Sequence, residues 1–351
     1  MTFLEDSFQD LSTPAARDRL AAFLATAAGV PCGVTSAAPL TGGASRDMWR
    51  IDAQIDGQPQ PLVLRRDLPT SMIDSALTRT QEFHLMQVAH AAGVQVARPR
   101  WLCADPAVLG SPFFLMDFVE GSAIGRKVVS APELATARRA LPDQLATQLA
   151  AIHRLPLESL GALAGELPHP PADSTPAQDA ITQAYALLDS LDVHNPTLEF
   201  LLRWAQRHAP TPVALTFAHG DFRIGNLIVN ADGLAAVADW EFAHIGDPNE
   251  ELGYLCMRDW RFGAPLRVGG ISEREPFLAV YEAACGRIVD RQAVDYWEFL
   301  GNVRWGVICL SQANRHLSGR DPSIELASLG RRSVEMQYEA LRLVRTMEAG
   351  Q

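Results

Sequence analysis

The stretch HGDFRIGN, residues 219–226, decides the interpretation of this chain. It places Asp221 five residues before Asn226, and a short hairpin pattern that follows ends at Asp239. Phosphoryl transfer needs a carboxylate that orients the attacking hydroxyl and receives its proton, and oxygen ligands that hold Mg²⁺ against the phosphates. The spacing therefore predicts a phosphoryl-transfer site with Asp221 as catalytic base and Asn226 and Asp239 as metal ligands.

Arg223 lies two residues after Asp221, where its guanidinium could reach the transferred phosphoryl group and balance its charge. Each of Asp221, Asn226 and Asp239 could also be a turn or capping residue. Their combination at this spacing favours a functional site. His219 fits a core histidine that supports the loop, so we do not assign it a catalytic role.

The first third of the chain predicts a small antiparallel sheet with one long helix. Alternating apolar residues and the hairpin signal Asp56-Gly57 predict strands, while a longer period predicts helices. Helices are predicted at 13–28 and 73–92, and strands at 34–40, 48–51, 61–65, 100–103 and 112–117.

After Gly121 the character of the chain changes and helical patterns dominate. They occur at 132–154, 175–191, 196–208, 275–285 and 296–317, and a last helix ends near residue 347. A hairpin pattern, 227–238, interrupts them. The expected fold class is α+β, with a nucleotide-binding N-terminal lobe at 1–118 and a helical C-terminal lobe at 119–351 that carries the catalytic loop and the acceptor site.

Composition excludes several classes of protein. A formal net charge of −11 disfavours nucleic acid as a partner, because nucleic-acid binders present basic surfaces. We expect no membrane partner, since no apolar run approaches the ~20 residues of a spanning helix. Five scattered cysteines without metal-ligand spacing suit a reducing compartment, so we expect a cytoplasmic location. Nothing in the sequence predicts the oligomeric state.

Besides HGDFRIGN, two further motifs resemble those of a known family: DWE at 239–241 and GDPNEELG at 246–253. Together the three motifs resemble the aminoglycoside phosphotransferase and choline kinase-like superfamily, which is related in fold to protein kinases. The chain is most similar to the branch that also occurs fused to acyl-CoA dehydrogenases. The resemblance covers roughly residues 40–319. It implies a two-lobed kinase-like fold and an enzyme that uses ATP and Mg²⁺ to phosphorylate a small-molecule hydroxyl.

The resemblance also implies roles for individual residues. Asp221 matches the catalytic aspartate, and Asn226 and Asp239 match the magnesium ligands. Asp247 resembles a residue that braces the catalytic loop, and Glu251 stands where the family often has aspartate. The residues that match the nucleotide site are the loop over the ATP phosphates (Gly42, Gly43, Ala44, Ser45), the strand residue Arg65, its helix partner Glu82, and the hinge that borders adenine (Asp117, Phe118, Val119).

Arg65 is a departure from the family pattern, because that strand position usually carries lysine. Lys127 is the only lysine of this chain, so an arginine, Arg65 or its neighbour Arg66, must contact the α- and β-phosphates and pair with Glu82. The departure keeps open an alternative: a nucleotide-binding pseudokinase or regulatory module with little or no transfer. A metal-dependent hydrolase is disfavoured by the lack of clustered histidines.

The acceptor cannot be identified from the sequence. Aminoglycosides, choline- or homoserine-like amines, sugars and hydroxyacyl thioesters are all possible in this superfamily. The likeness to the dehydrogenase-linked branch favours a hydroxyacyl or similar metabolite. Trp260, Trp297 and Trp305 either line the acceptor site or belong to the core of the helical region.

Overall fold

The computed structural model describes residues 9–40, 46–67 and 76–350, except the side chain of Arg46. These residues form two compact units. The first unit contains the described residues up to Gly121, together with Glu158–Gly165 and Ala235–Phe242. The second contains Ser122–Leu157, Glu166–Leu234 and the described residues from Ala243 onward. The chain thus returns twice to the first unit. The lobe boundary near residue 118 stays a prediction.

The first unit contains a five-stranded antiparallel sheet with the strand order β1-β2-β3-β5-β4. Two helices, α1 and α2, belong to the same unit. The elements are α1 (Pro14–Ala28), β1 (Cys32–Pro39), β2 (Arg46–Ile55), β3 (Gln58–Asp67), α2 (Arg79–Ala91), β4 (Pro99–Cys103) and β5 (Phe113–Asp117).

The alternating direction of the side chains along β3 determines on which face of the sheet each one lies. Leu62 and Leu64 are fully buried in a cluster that also contains Leu20 and Leu24 of α1. Side chains of successive strand residues point to opposite faces. Arg65 therefore points away from α1.

Local capping explains where the first two helices begin. Thr13 accepts a hydrogen bond from the Ala16 backbone N–H at the start of α1. Thr78 and Gln81 form a capping box at the start of α2, so α2 begins at Arg79. The predicted start at residue 73 is wrong for 76–78, which are not helical. The remainder of that prediction, 73–75, lies outside the described residues.

The second unit is mainly helical. Its helices are α3 (Gly125–Ser130), α4 (Ala135–His153), α5 (Pro176–Asp189), α6 (Pro196–Arg207), α7 (Pro248–Leu255), α8 (Arg274–Cys285), α9 (Arg291–Leu317) and α10 (Ile324–Ala349). Its short strands are β6 (Thr216–Ala218), β7 (Leu227–Asn230) and β9 (His244–Gly246), and β8 (Gly233–Val237) completes the predicted hairpin with β7.

The core of the second unit forms where α5, α6 and α10 pack around α9. Leu198, Leu201, Phe299, Val303 and Ala340 are buried in one cluster there. Apolar residues at helical spacing predicted these helices, although α3 and α7 were not predicted as separate elements. Within the described part of the chain, no helix has the length and apolarity that a membrane span requires.

Candidate active site

The loop between β6 and β7 brings three predicted residues of the second unit together. Oδ1 of Asp221 accepts hydrogen bonds from Arg223 Nε at 3.0 Å and from the Tyr254 hydroxyl at 2.7 Å. Oδ2 accepts one from Asn226 Nδ2 at 2.5 Å. Asp221 is 7% exposed, so these donors fix its carboxylate in a partly dehydrated position. A carboxylate held in this way can orient a hydroxyl and accept its proton.

Asn226 is oriented by the same aspartate. Its Nδ2 also donates to the backbone oxygen of Asp221 at 3.0 Å. The amide nitrogen is therefore engaged, and the amide oxygen Oδ1 is the atom suited to a cation. An amide oxygen is a hard ligand of the kind that Mg²⁺ prefers.

Arg223 is held on two sides. Its Nε donates to Asp221, and its guanidinium carbon lies 4.7 Å from the centroid of the Trp260 ring. A Cβ atom at position 225 would displace the end of the Arg223 side chain from this orientation. Stacking on an indole restricts the guanidinium without neutralising its charge.

The aromatic residues next to Asp221 form a row in the second unit. The ring centroids of Tyr254 and Trp260 lie 5.4 Å apart, and those of Trp260 and Trp305 lie 5.3 Å apart. Trp297 is separate from this row: it is buried in the helical core and donates to Asp247 Oδ2 at 3.1 Å. Of the three tryptophans, Trp260 thus lies beside the catalytic loop and Trp297 is a core residue.

Glu251 of α7 fixes the backbone of the catalytic loop. Its Oε1 accepts from the Gly220 backbone N–H at 2.8 Å, and its Oε2 accepts from the His219 backbone N–H at 2.9 Å. His153 Nε2 lies 2.9 Å from the same Oε2. Burial raises the pKa of Glu251, but the hydrogen bond from His153 and the charges nearby lower it more, so the net shift is downward.

The bracing of Glu251 extends through His153 to α8. Because a carboxylate only accepts, His153 Nε2 carries the hydrogen, and Nδ1 lies 2.7 Å from the Tyr281 hydroxyl. Arg287 donates to that hydroxyl at 2.9 Å. The expected brace Asp247 acts differently: its carboxylate caps α7 through the Asn249 backbone N–H and holds Trp297. It therefore fixes the helix that carries Glu251.

In the first unit, Arg65 is the centre of a buried ionic cluster. Its Nε donates to Glu82 Oε2 at 3.0 Å. Its Nη2 donates to Asp239 Oδ1 at 3.1 Å and to Glu241 Oε2 at 3.4 Å. Burial lowers the pKa of Arg65, but Glu82 and Asp239 raise it more, so the guanidinium stays charged. The pair predicted with Glu82 is present, and one guanidinium divides its donors among three carboxylates.

Arg66 points to the opposite face of the sheet. Its Nε donates to Asp47 Oδ2 at 2.5 Å, and its other nitrogens donate to the backbone oxygens of Leu109 and Gln9. Of the two arginines considered for the role of the family lysine, Arg65 is therefore the one that pairs with Glu82.

Comparison with known proteins identifies the family. A model described as the phosphotransferase enzyme family (APH) matches residues 36–295, well over half of the chain. The chain belongs to this family. A curated relative, acyl-CoA dehydrogenase family member 10 of Mus musculus, is 33% identical over 202 residues. That match covers 56% of this chain but 18% of the relative, so the chain spans less than a fifth of the length of that protein.

Solved structures of this phosphotransferase family show the same fold. A putative aminoglycoside phosphotransferase from Ralstonia eutropha superposes with a TM-score of 0.75 at 22% identity, covering 94% of this chain and 98% of that one. Spectinomycin phosphotransferase, solved with ADP and spectinomycin, gives a TM-score of 0.59 at 13% identity, covering 92% and 98%. The predicted α+β, two-lobed kinase-like fold is confirmed.

The predicted hinge of this family member lies at the end of β5. The carboxylate of Asp117 accepts from Arg100 Nε at 2.6 Å and from Gln60 Nε2 at 3.1 Å. The Phe118 backbone N–H donates to the Pro61 oxygen at 3.1 Å, and Arg50 lies over the Phe118 ring. Val119 is partly exposed. The role of these residues toward adenine stays a prediction, and the predicted phosphate loop, Gly42, Gly43, Ala44 and Ser45, lies outside the described residues.

Metal ligation also stays a prediction. In residues 9–40, 46–67 and 76–350, no group of three histidine, cysteine, aspartate or glutamate side chains could hold an ion. Mg²⁺ at phosphate sites commonly takes only one or two protein ligands, with waters and phosphate oxygens for the rest. Asp239, whose φ of 73° is one that aspartate tolerates better than most residues, offers a carboxylate of this kind.

Three residues near the site were not predicted from the sequence: Tyr254, His153 and Arg79. Tyr254 lies three residues after Glu251, so the helical period of α7 places both near the catalytic loop. That signal was available in GDPNEELG and the tyrosine that follows it, once a helix was assigned there. Arg79 also had a local signal, because it lies three residues before Glu82 on α2. His153 carries none, since its partners are set by tertiary packing.

Replacement of Tyr254 by phenylalanine tests the tyrosine hydrogen bond. Burial, followed by the charge of Asp221, raises the pKa of Tyr254 well above its usual value, so the hydroxyl is a donor at neutral pH. We expect Tyr254→Phe to lower the turnover number about three- to tenfold, because Asp221 loses one of its positioning donors. Steady-state kinetics with Mg-ATP measure this effect, and an unchanged turnover number would exclude a positioning role.

Proposed function

We propose that this chain transfers the γ-phosphate of ATP to a hydroxyl group of a small molecule in a Mg²⁺-dependent reaction. One observation carries the proposal: the carboxylate of Asp221 is held by Arg223, Asn226 and Tyr254 on a loop whose backbone Glu251 fixes. Such pre-organisation is what proton acceptance from a hydroxyl requires. Membership of a phosphotransferase family supports it.

On the acceptor side, Asp221 orients the hydroxyl and takes its proton. The new oxygen–phosphorus bond forms as the bond between the γ-phosphorus and the β–γ bridging oxygen breaks, and ADP leaves. Arg223 balances the charge of the transferred phosphoryl group, and its stacking on Trp260 keeps the guanidinium in one orientation. Both residues belong to the second unit. Substitutions confined to that unit, made in the full chain, therefore test this half of the reaction.

On the nucleotide side, Arg65 contacts the α- and β-phosphates and Glu82 orients it. The loop residues Gly42, Gly43, Ala44 and Ser45 cover the phosphates, and Asp117, Phe118 and Val119 border adenine. Asn226 and Asp239 each supply an oxygen ligand to Mg²⁺. When bound, the ion offsets the negative charge of the phosphates.

Charge in the first unit supports a cation there. Three buried or nearly buried carboxylates (Glu82, Glu241 and Asp239) face two guanidiniums (Arg65 and Arg79). This group of five carries one negative charge in excess, and a divalent cation would reverse that excess.

For the acceptor we propose a hydroxyacyl or similar metabolite. The support is the match to a relative whose name describes an acyl-CoA dehydrogenase family member, although the match covers 18% of that protein. Amino alcohols, sugars and aminoglycosides belong in the same screen, because phosphotransferases with this fold include one solved with spectinomycin.

The deciding experiment incubates the protein with Mg-ATP and a panel of hydroxylated metabolites from these four classes. Mass spectrometry detects a phosphate ester of the true acceptor, and omission of Mg²⁺ should abolish its formation. Thermal stabilisation by Mg-ATP without transfer to any panel member would favour a nucleotide-binding module instead. If Mg-ATP produces no thermal stabilisation and no transfer occurs, the proposed nucleotide site is excluded.

A further inference from the structure

Arg79 is a buried arginine that the residues assigned so far do not explain. It is the first residue of α2, and it is 3% exposed. Its side chain forms ion pairs with Glu82, with Asp67 at 3.0 Å and with Glu241 at 3.8 Å, and it donates to the Leu77 backbone oxygen at 2.9 Å. Glu82 and Glu241 are also partners of Arg65.

The two arginines therefore share two carboxylates. Without Arg79, one guanidinium, that of Arg65, would have to satisfy Glu82, Glu241 and Asp239. Nucleotide phosphates that approach Arg65 would compete for the same donors. A carboxylate that loses its cation inside the protein is strongly destabilising, so the carboxylates need another partner when phosphates arrive.

We propose that Arg79 is a positioning residue of the nucleotide site, which holds Glu82 and Glu241 so that Arg65 can turn donors toward the phosphates. This inference rests on the proposed function. Arg79 has the capacity for the role: within the described residues its buried Nε–H makes no hydrogen bond, although Asp67 Oδ1 lies at ion-pair distance. One donor of Arg79 is therefore not yet committed to a hydrogen bond.

Arg66 provides a matched control. It is 1% exposed, it lies on the same strand as Arg65, and it also pairs with a carboxylate, that of Asp47. Its partners lie on the opposite face of the sheet and include neither Glu82 nor Glu241 in the contacts described above. Loss of Arg66 thus reproduces the cost of removing a buried arginine without changing the cluster around Arg65.

Calorimetric titration with Mg-ATP, together with thermal unfolding, tests the proposal on the full chain. We expect both Arg79→Gln and Arg66→Gln to lower the melting temperature. Arg79→Gln alone should raise the Mg-ATP dissociation constant, by about ten- to a hundredfold, the range of one charge-assisted hydrogen bond. The double variant Arg79→Gln with Glu241→Gln should recover part of the affinity, because one carboxylate no longer needs a partner.

Equal Mg-ATP affinity of Arg79→Gln and the unchanged protein would overturn the proposal, and so would an equal loss in Arg66→Gln. If Arg79→Gln does not fold, Arg79→Lys replaces it, with a smaller expected loss because the charge remains. The proposal would also be overturned if Arg79→Lys bound Mg-ATP with unchanged affinity and the addition of Glu241→Gln gave no gain in affinity. Failure of the unchanged protein to bind Mg-ATP would instead contradict the proposed function.

Discussion

Replacement of Asp221 by asparagine is expected to lower the rate of phosphate transfer by about 10²–10⁴-fold, the usual contribution of a general base. Asparagine has nearly the same shape, and its amide oxygen can still accept from Arg223 or Tyr254, so the loop should keep its conformation. It cannot take a proton from the attacking hydroxyl. Single-turnover kinetics with Mg-ATP and the acceptor from the screen measure the change.

The affinity for Mg-ATP separates this role from a structural one. It should change much less than the rate in Asp221→Asn, because Arg65 and Glu82 are unaltered and Asn226 keeps its hydrogen bond to the backbone oxygen of residue 221. Asp247→Asn serves as the control: the amide oxygen can keep the α7 cap on the Asn249 backbone N–H, and only the hydrogen bond from Trp297 is lost. That variant should retain transfer, whereas a rate in Asp221→Asn close to that of the unchanged protein would exclude Asp221 as the base.

Replacement of Glu251 by alanine should affect both stability and transfer. The backbone N–H groups of His219 and Gly220 and the ring N–H of His153 would each lose their acceptor inside the protein. Removing one partner from a buried charged network costs about 3–5 kcal/mol of unfolding free energy. The rate of transfer should fall as well, because Asp221 directly follows His219 and Gly220, whose backbone would no longer be held. Denaturant unfolding and kinetics measure the two effects.

Glu250→Ala is the matched control for Glu251→Ala. Glu250 is the preceding residue of the same helix, and it pairs with Arg304 and His244 rather than with the catalytic loop. Burial raises the pKa of Glu250, but Arg304 and His244 bring it down to about 2. Its loss should therefore lower stability and leave transfer unchanged. A similar fall in transfer for both variants would contradict the bracing role of Glu251.

The pH dependence of stability gives a second measure of Glu251. Its pKa in the folded protein is lower than its ordinary value, so the carboxylate binds protons more weakly when folded than when unfolded. Its contribution is fully present above the ordinary glutamate pKa, about 4.3, and disappears as the pH falls through the lower folded value. Unfolding free energies of Glu251→Gln should fall less steeply with acid than those of the unchanged protein.

Parts of the candidate site were predictable because their determinants are local. The spacing of Asp221, Arg223 and Asn226 lies within one loop, and the structure joins these side chains by hydrogen bonds. The choice between Arg65 and Arg66 could also have been made from the sequence. Leu62 and Leu64 mark the core face of β3, and alternation then assigns Arg65 to the other face.

Other contacts had no such local signal. His153 meets Glu251 across 98 residues, and Arg65 meets Glu241 across 176. No periodicity predicts which of several histidines or arginines will meet a given carboxylate. The start of α2 is a different case, because Thr78 and Gln81 have the spacing of a capping box, which is a readable helix start.

The arginine at position 65 has a practical consequence for chemical proteomics. Reagents that report on ATP sites by acylating a nearby lysine amine would find no such amine on this strand, because the chain has a single lysine, Lys127, on α3 of the second unit. A guanidinium with a raised pKa has no nucleophilic lone pair to offer in its place. Under the proposed function, surveys of kinases that label the strand lysine would not report this chain at position 65.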